Sequence, residues 1–166
     1  MHRILTLVFL LLASPSFTQD KARKGDFDFW IGEWDVHWLN PDSSYTYGSN
    51  TISWILDSTV IQEDFYDPTT GFRGRSTTGI AFKDTTWRQS WYDNSGGFLE
   101  FYGLIEEERK IFRTDILKKG EQEIILRMVF HDIENDAFIW DWESSSDGGE
   151  SWKLLWQIFY ERKKQE

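Results

Sequence analysis

The stretch VIQEDFY, Val60 to Tyr66, carries the residue best placed for chemistry. Alternation puts Ile61, Glu63 and Phe65 on one face of a strand and Val60, Gln62, Asp64 and Tyr66 on the other. Glu63 is thus flanked by apolar residues on its own face. A carboxyl in that position is hydrogen-bonded, held neutral, or kept for a ligand. Three aromatic sets share its setting: Trp87, Gln89 and Trp91; Phe138, Trp140 and Trp142; Trp152, Leu154 and Trp156, each on one face by period two. Aromatic walls with a few polar groups suit a flat or amphipathic small molecule. The candidate ligand-binding residues are therefore Trp54, Glu63, Gln89, Trp91, Trp140, Trp142 and Trp156.

Other chemistries find less footing. There is no cysteine, hence no disulfide framework, thiol nucleophile or cysteine zinc site. Haem needs an axial ligand, usually histidine. His37 lies on the strand face opposite Trp34, Val36 and Trp38, and His131 sits at the edge of a turn, so no cofactor and no metal are expected. No Gly-x-Ser-x-Gly elbow occurs, and no catalytic residue is assigned. Ser145-x-Asp147-x-Gly149-x-Ser151-Trp152 matches the Asp-box of sialidase propellers, but a propeller repeats its blade and this motif occurs once. It reads as a hairpin turn in which Asp147 bonds backbone amides.

The elements that must position these residues are strands. No long stretch shows period 3.6 after Trp34. Short alternating runs recur between turn signals: Trp34 to Trp38, Tyr45 to Leu56, Val60 to Tyr66, Arg75 to Lys83, Trp87 to Asp93, Phe98 to Ile105, Lys110 to Ile116, Gln122 to His131, Ala137 to Ser144 and Trp152 to Arg162. The expected fold is all-β: an antiparallel up-and-down barrel of about ten strands, closed to remove its edges. Phe27, Phe29, Trp30 and Ile31 precede the first strand and form a short aromatic plug. Residues 1–19 have the layout of a secretory signal peptide, with the apolar run Ile4 to Ala13 too short to span a bilayer. Residues 20–26 read as a linker and 27–164 as one barrel domain. The formal net charge of -10 argues against a nucleic-acid partner. No further segment approaches membrane-spanning length, so no integral span is expected.

Gly32-Glu33-Trp34, at the head of the first strand after the plug, resembles the Gly-x-Trp opening of the lipocalin, or calycin, superfamily. In that superfamily a late Arg or Lys stacks on the Trp; here Arg162 shares parity with Trp156, Ile158 and Tyr160 in WQIFYERKK. The resemblance implies structural closure by Trp34 and Arg162. The ordered set FDFWIGEW, VIQEDF, GFRGRSTTGIAF, WRQSWYDNSGG and SSDGGESW is similar to secreted bacterial lipocalin-like domains of unknown function. That likeness implies a fold and no activity.

The leading expectation is a secreted or periplasmic barrel that binds a small apolar or amphipathic molecule. Two other readings stay open: a hydrolase or isomerase using the same cavity with Glu63 as acid or base, and a partner-binding module with a filled barrel. A perturbed carboxylate beside a second polar group would favour the enzyme. A large apolar cavity without such a pair would favour the carrier.

Overall fold

The computed structural model describes residues 21–164, except 84 and 107. The expected signal peptide, residues 1–19, lies outside the described residues. A one-turn 3-10 helix, Asp28–Trp30, leads into eleven strands: β1 Gly32–Leu39, β2 Tyr45–Ile55, β3 Val60–Asp67, β4 Phe72–Ala81, β5 Thr86–Asp93, β6 Phe98–Ile105, β7 Lys110–Arg113, β8 Leu117–Lys119, β9 Gln122–His131, β10 Ala137–Ser145 and β11 Lys153–Arg162. Each strand of the ring pairs antiparallel with its neighbours, β11 returns to β1, and β9 pairs with both β7 and β10. Ten strands thus close an all-β up-and-down barrel, consistent with a lipocalin-like fold. β8 pairs only with β9, outside the ring.

Alternation of side chains generates this architecture. In β1, Trp34, Val36 and Trp38 are buried; in β3, Ile61, Glu63, Phe65 and Asp67 are buried while their neighbours are half-exposed. The strand expected over Lys110–Ile116 stops at Arg113, and residues 117–119 pair separately as β8. With Leu117 as its one apolar residue, β8 is too short to show a period. β4 begins at Phe72, three residues earlier than expected, because Phe72 pairs with Asp67 directly across the turn.

One parity expectation fails in β11. Trp142 pairs with Trp156, but Glu143 pairs with Leu154, so the register shifts by one residue. A bulge reverses the faces beyond it. Trp156 therefore points inward, whereas Leu154 and Leu155 are exposed and Trp152 lies outside under Arg127, whose guanidinium carbon stands 3.8 Å from the indole centroid.

The barrel's two ends differ. At one end the aromatic plug enters: Phe27 stacks on Phe112 at 4.9 Å and meets Trp87 edge-on at 5.1 Å, and Trp30 meets Phe130 edge-on at 5.3 Å. Trp87 Nε1 also donates to Asp26 Oδ2 at 3.0 Å, which fastens the segment read as a linker onto the barrel. Trp34 donates its indole N–H to the Trp30 carbonyl at 2.8 Å. Arg162, paired with Trp34 across β1 and β11, places its guanidinium carbon 4.2 Å from the Trp34 centroid. The same guanidinium donates to the carbonyls of Ile31 and Phe29 at 2.9 and 3.3 Å. Gly32 is required here: its φ is +144°, and a Cβ would stand 2.3 Å from Arg162 Nη1. The opposite end carries the turns after β1, β3, β5 and β10. The turn after β10 is the Asp-box: Asp147 Oδ1 accepts from the Ser151 amide at 3.0 Å and from the Ser145 hydroxyl at 2.6 Å. Those bonds hold the Asp147 carboxyl well below the usual carboxylate range.

Candidate ligand cavity

Between the plug and the open rim lies a cavity of about 280 Å³. Its walls come from strands that the meander brings around the ring: Phe65 from β3, Phe72 from β4, Trp91 from β5, Phe101 from β6, Trp140 and Trp142 from β10, and Trp156 from β11. Leu99 and Met128 complete the apolar lining. Trp140 and Trp142, two residues apart and so on one face of β10, lie parallel to within 3° at 6.1 Å. Trp156 meets Trp140 at 86° and 5.9 Å, so the rings form a corner. Trp91 reaches its place because β4 has Gly74 beneath it, and Phe72, also in the lining, stacks on it at 6.5 Å.

Two acids complete the lining, Glu63 and Asp93. Glu63 is 7% exposed. Its Oε1 accepts from Asn50 Nδ2 at 2.7 Å and its Oε2 accepts from the Ser76 hydroxyl at 2.7 Å. The register explains both partners: Ser76 stands directly opposite Glu63, and Asn50 is the diagonal neighbour opposite Phe65. Asn50 Nδ2 also donates to the Tyr160 hydroxyl oxygen at 3.0 Å. Burial pushes the Glu63 carboxyl above its usual range, and the bonds from Asn50 and Ser76 offset only part of that. Burial and the nearby Glu63 push the Tyr160 phenol up in turn. Among the described residues, Asn50 Oδ1 and Gln89 Oε1 have no hydrogen-bond partner.

At the rim, Asp93 is tied into the β5–β6 turn. Its Oδ1 accepts from the Ser95 and Gly97 amides at 2.9 Å each, and its Oδ2 accepts from Trp91 Nε1 at 3.3 Å. Partial burial pushes this carboxyl up, but the amide and indole donors outweigh it and hold it below the usual range.

Five of the residues singled out in the sequence line this cavity: Glu63, Trp91, Trp140, Trp142 and Trp156. Gln89 is inside the barrel, 2% exposed, but spends its amide on Thr78 Oγ1 at 2.9 Å and lies off the cavity wall. Trp54 pairs opposite Ile61 toward the plugged end and packs against the core rather than the cavity. No family model and no curated protein matches the chain. The residues not anticipated are Phe65, Phe72, Asp93, Leu99, Phe101 and Met128 in the lining, and Asn50, Ser76 and Tyr160 around Glu63. Phe65 shares the Glu63 face in VIQEDFY, and the turn at residues 68–71 sets Ser76 opposite Glu63, so both were within reach of a register argument. Asp93 ends the expected strand Trp87 to Asp93 and shares by period two the face of Trp87, Gln89 and Trp91, so parity could have placed it inward as well.

The remaining chemistry is sparse. His37 stacks on Phe159 at 5.2 Å on the outer face, and His131 lies between Asp132 and Asp141 at 3.1 Å from each. Among the described residues no group of three or more metal-ligating side chains comes together. No helix among them is long and apolar enough to cross a membrane.

Proposed function

We propose that this chain is an exported, lipocalin-like binding protein that holds a small apolar or amphipathic molecule in its aromatic cavity. The observation that carries this reading is the cavity of about 280 Å³, walled by four tryptophans and three phenylalanines. That space fits one small flat molecule and argues against a barrel filled by its own side chains. The Gly32-Glu33-Trp34 opening under Arg162 supports kinship with the calycins, and the apolar run at Ile4 to Ala13 supports export to the periplasm or beyond.

Carriage is favoured over catalysis by the setting of Glu63. Each of its oxygens accepts a hydrogen bond from a neighbouring strand, and those partners, Asn50 and Ser76, stand off the cavity wall. A site for proton transfer is better marked where a second free polar group converges on the same reacting atom. The Asp93 carboxylate is instead committed to the rim turn.

Native mass spectrometry of protein purified from its own host tests the reading. The expected spectrum shows the chain with one additional small molecule, which leaves on denaturation. A chain that carries nothing from its host and takes up nothing from a panel of small aromatic compounds would sink it.

A further inference from the structure

Among the described residues, the two ionisable groups that line the cavity are both acids. Two half-buried carboxylates elsewhere on the barrel have cationic partners, Asp64 from Arg75 at 2.6 Å and Glu143 from Arg127, and the buried Asp67 is held by the amides and hydroxyl of its own turn. Of the two cavity acids Glu63 is the more deeply buried, and its partners are a side-chain amide and a hydroxyl, both neutral. An ionised carboxylate in a dry site is costly without a counter-charge. Asn50 and Ser76 occupy one oxygen each, and neither brings a charge to the carboxyl. The counter-charge is missing from the wall but not from the design of the site. The surrounding rings supply negative π-faces, and a corner of tryptophans is how proteins hold quaternary ammonium groups. The Trp91 indole donates to Asp93 at 3.3 Å, which places a second carboxylate beside one of those rings.

We propose that the occupant of this cavity is an organic cation: an ammonium or quaternary ammonium group on a flat apolar body, with its charge among Trp91, Trp140, Trp142 and Trp156 and directed to Glu63. This rests on the reading of the cavity as a small-molecule site and names the class it selects. A free cation of this kind meets Asp93 at the rim and Glu63 inside, with a net charge of -10 on the chain to favour approach. A bare hydrocarbon of the same shape fills the same space but leaves Glu63 uncompensated.

The test compares phenyltrimethylammonium with tert-butylbenzene, its neutral isostere with carbon in place of nitrogen. Both are titrated at pH 7 by tryptophan fluorescence against the wild-type chain, Glu63→Gln and Asp93→Asn. The expected result is a preference for the cation of about tenfold or more in the wild type, falling to within about threefold in Glu63→Gln. Gln keeps the size of Glu63: its carbonyl accepts from Asn50, and its amide donates to Ser76. Asp93→Asn keeps an acceptor for the Ser95 and Gly97 amides but gives up the one for the Trp91 indole, so it is read as the ratio of cation to isostere affinity, which is expected to fall a few-fold. It therefore tests the charge dependence even where Glu63→Gln does not fold. Equal binding of the two compounds in the wild type overturns the cation proposal and leaves the small-molecule reading standing. A preference that survives both substitutions also overturns it. Binding of neither compound overturns the proposal, and extending that failure to the panel of neutral aromatics removes the reading beneath it.

Discussion

The six-membered ring of Trp91 occupies the space that Gly74 leaves empty: a Cβ at Gly74 would stand 1.9 Å from Trp91 Cζ2 and 2.1 Å from Cη2. Gly74 pairs with Asp93 and Ser76 with Trp91, so the ring crosses diagonally onto the neighbouring strand. One wall of the cavity thus depends on a missing side chain on another strand.

Gly74→Ala forces Trp91 off β4. The expected cost is about 1–3 kcal/mol, as for other overpacked interiors. Urea titration measures it, and a change in tryptophan emission reports the displaced indole. A variant with wild-type midpoint and emission would show that Trp91 does not lie over Gly74.

Glu63 makes stability depend on pH. Its carboxyl is raised in the folded chain from an ordinary value of 4.5, so between 4.5 and the native value the folded state binds more protons than the unfolded one. Its contribution is complete below pH 4.5 and is lost as pH rises through the native value. Each unit of displacement is worth about 1.4 kcal/mol. Glu63→Gln removes this term, so its stability should gain on the wild type from pH 4 to pH 8. Parallel curves from urea titrations across that range would count against a buried, uncompensated carboxyl.

Closure at the plugged end can be taken apart residue by residue. Trp34→Ala removes a fully buried indole and should cost about 3–5 kcal/mol. Arg162→Ala removes a cation–π contact of about 0.5–2 kcal/mol, with the loss of its bonds to the Phe29 and Ile31 carbonyls added. Arg162→Lys should recover only part, because an ammonium cannot stack on the indole while reaching both carbonyls. A neutral Trp34→Ala in denaturant titration would refute the closure argument.

Export is expected to remove the apolar leader. N-terminal sequencing of protein recovered outside the cytoplasm should begin near Gln19 or Asp20. Recovery of a chain that still starts at Met1 would contradict it.

The barrel was legible because its strands write their two faces in different residue types. Trp34, Val36 and Trp38 against Glu33, Asp35 and His37 leave no choice of face, and the Asp67 to Gly71 turn fixes the next register. Where that code is interrupted, reading failed. The Trp142/Glu143 register shift moved Trp152 and Leu154 to the outside, and nothing in WKLLWQ marks a bulge. Parity locates a residue inward but not along the barrel axis, which is why Gln89 and Trp54 face in without reaching the cavity. Asn50 on β2 and Ser76 on β4 reach Glu63 through the strand pairs on either side of β3, whereas Tyr160, which accepts from Asn50, comes from β11 and joins them only once the ring has closed.

The plug has a kinetic consequence. With Phe27, Phe29 and Trp30 seated in one end, the chamber is blind, and its volume of about 280 Å³ leaves room for a single guest. A newcomer cannot push in from behind as it would through an open tube. On the function proposed above, a resident would have to depart through the rim before a replacement arrives, so the exchange rate in a chase experiment is expected to level off at the departure rate and ignore further excess of competitor.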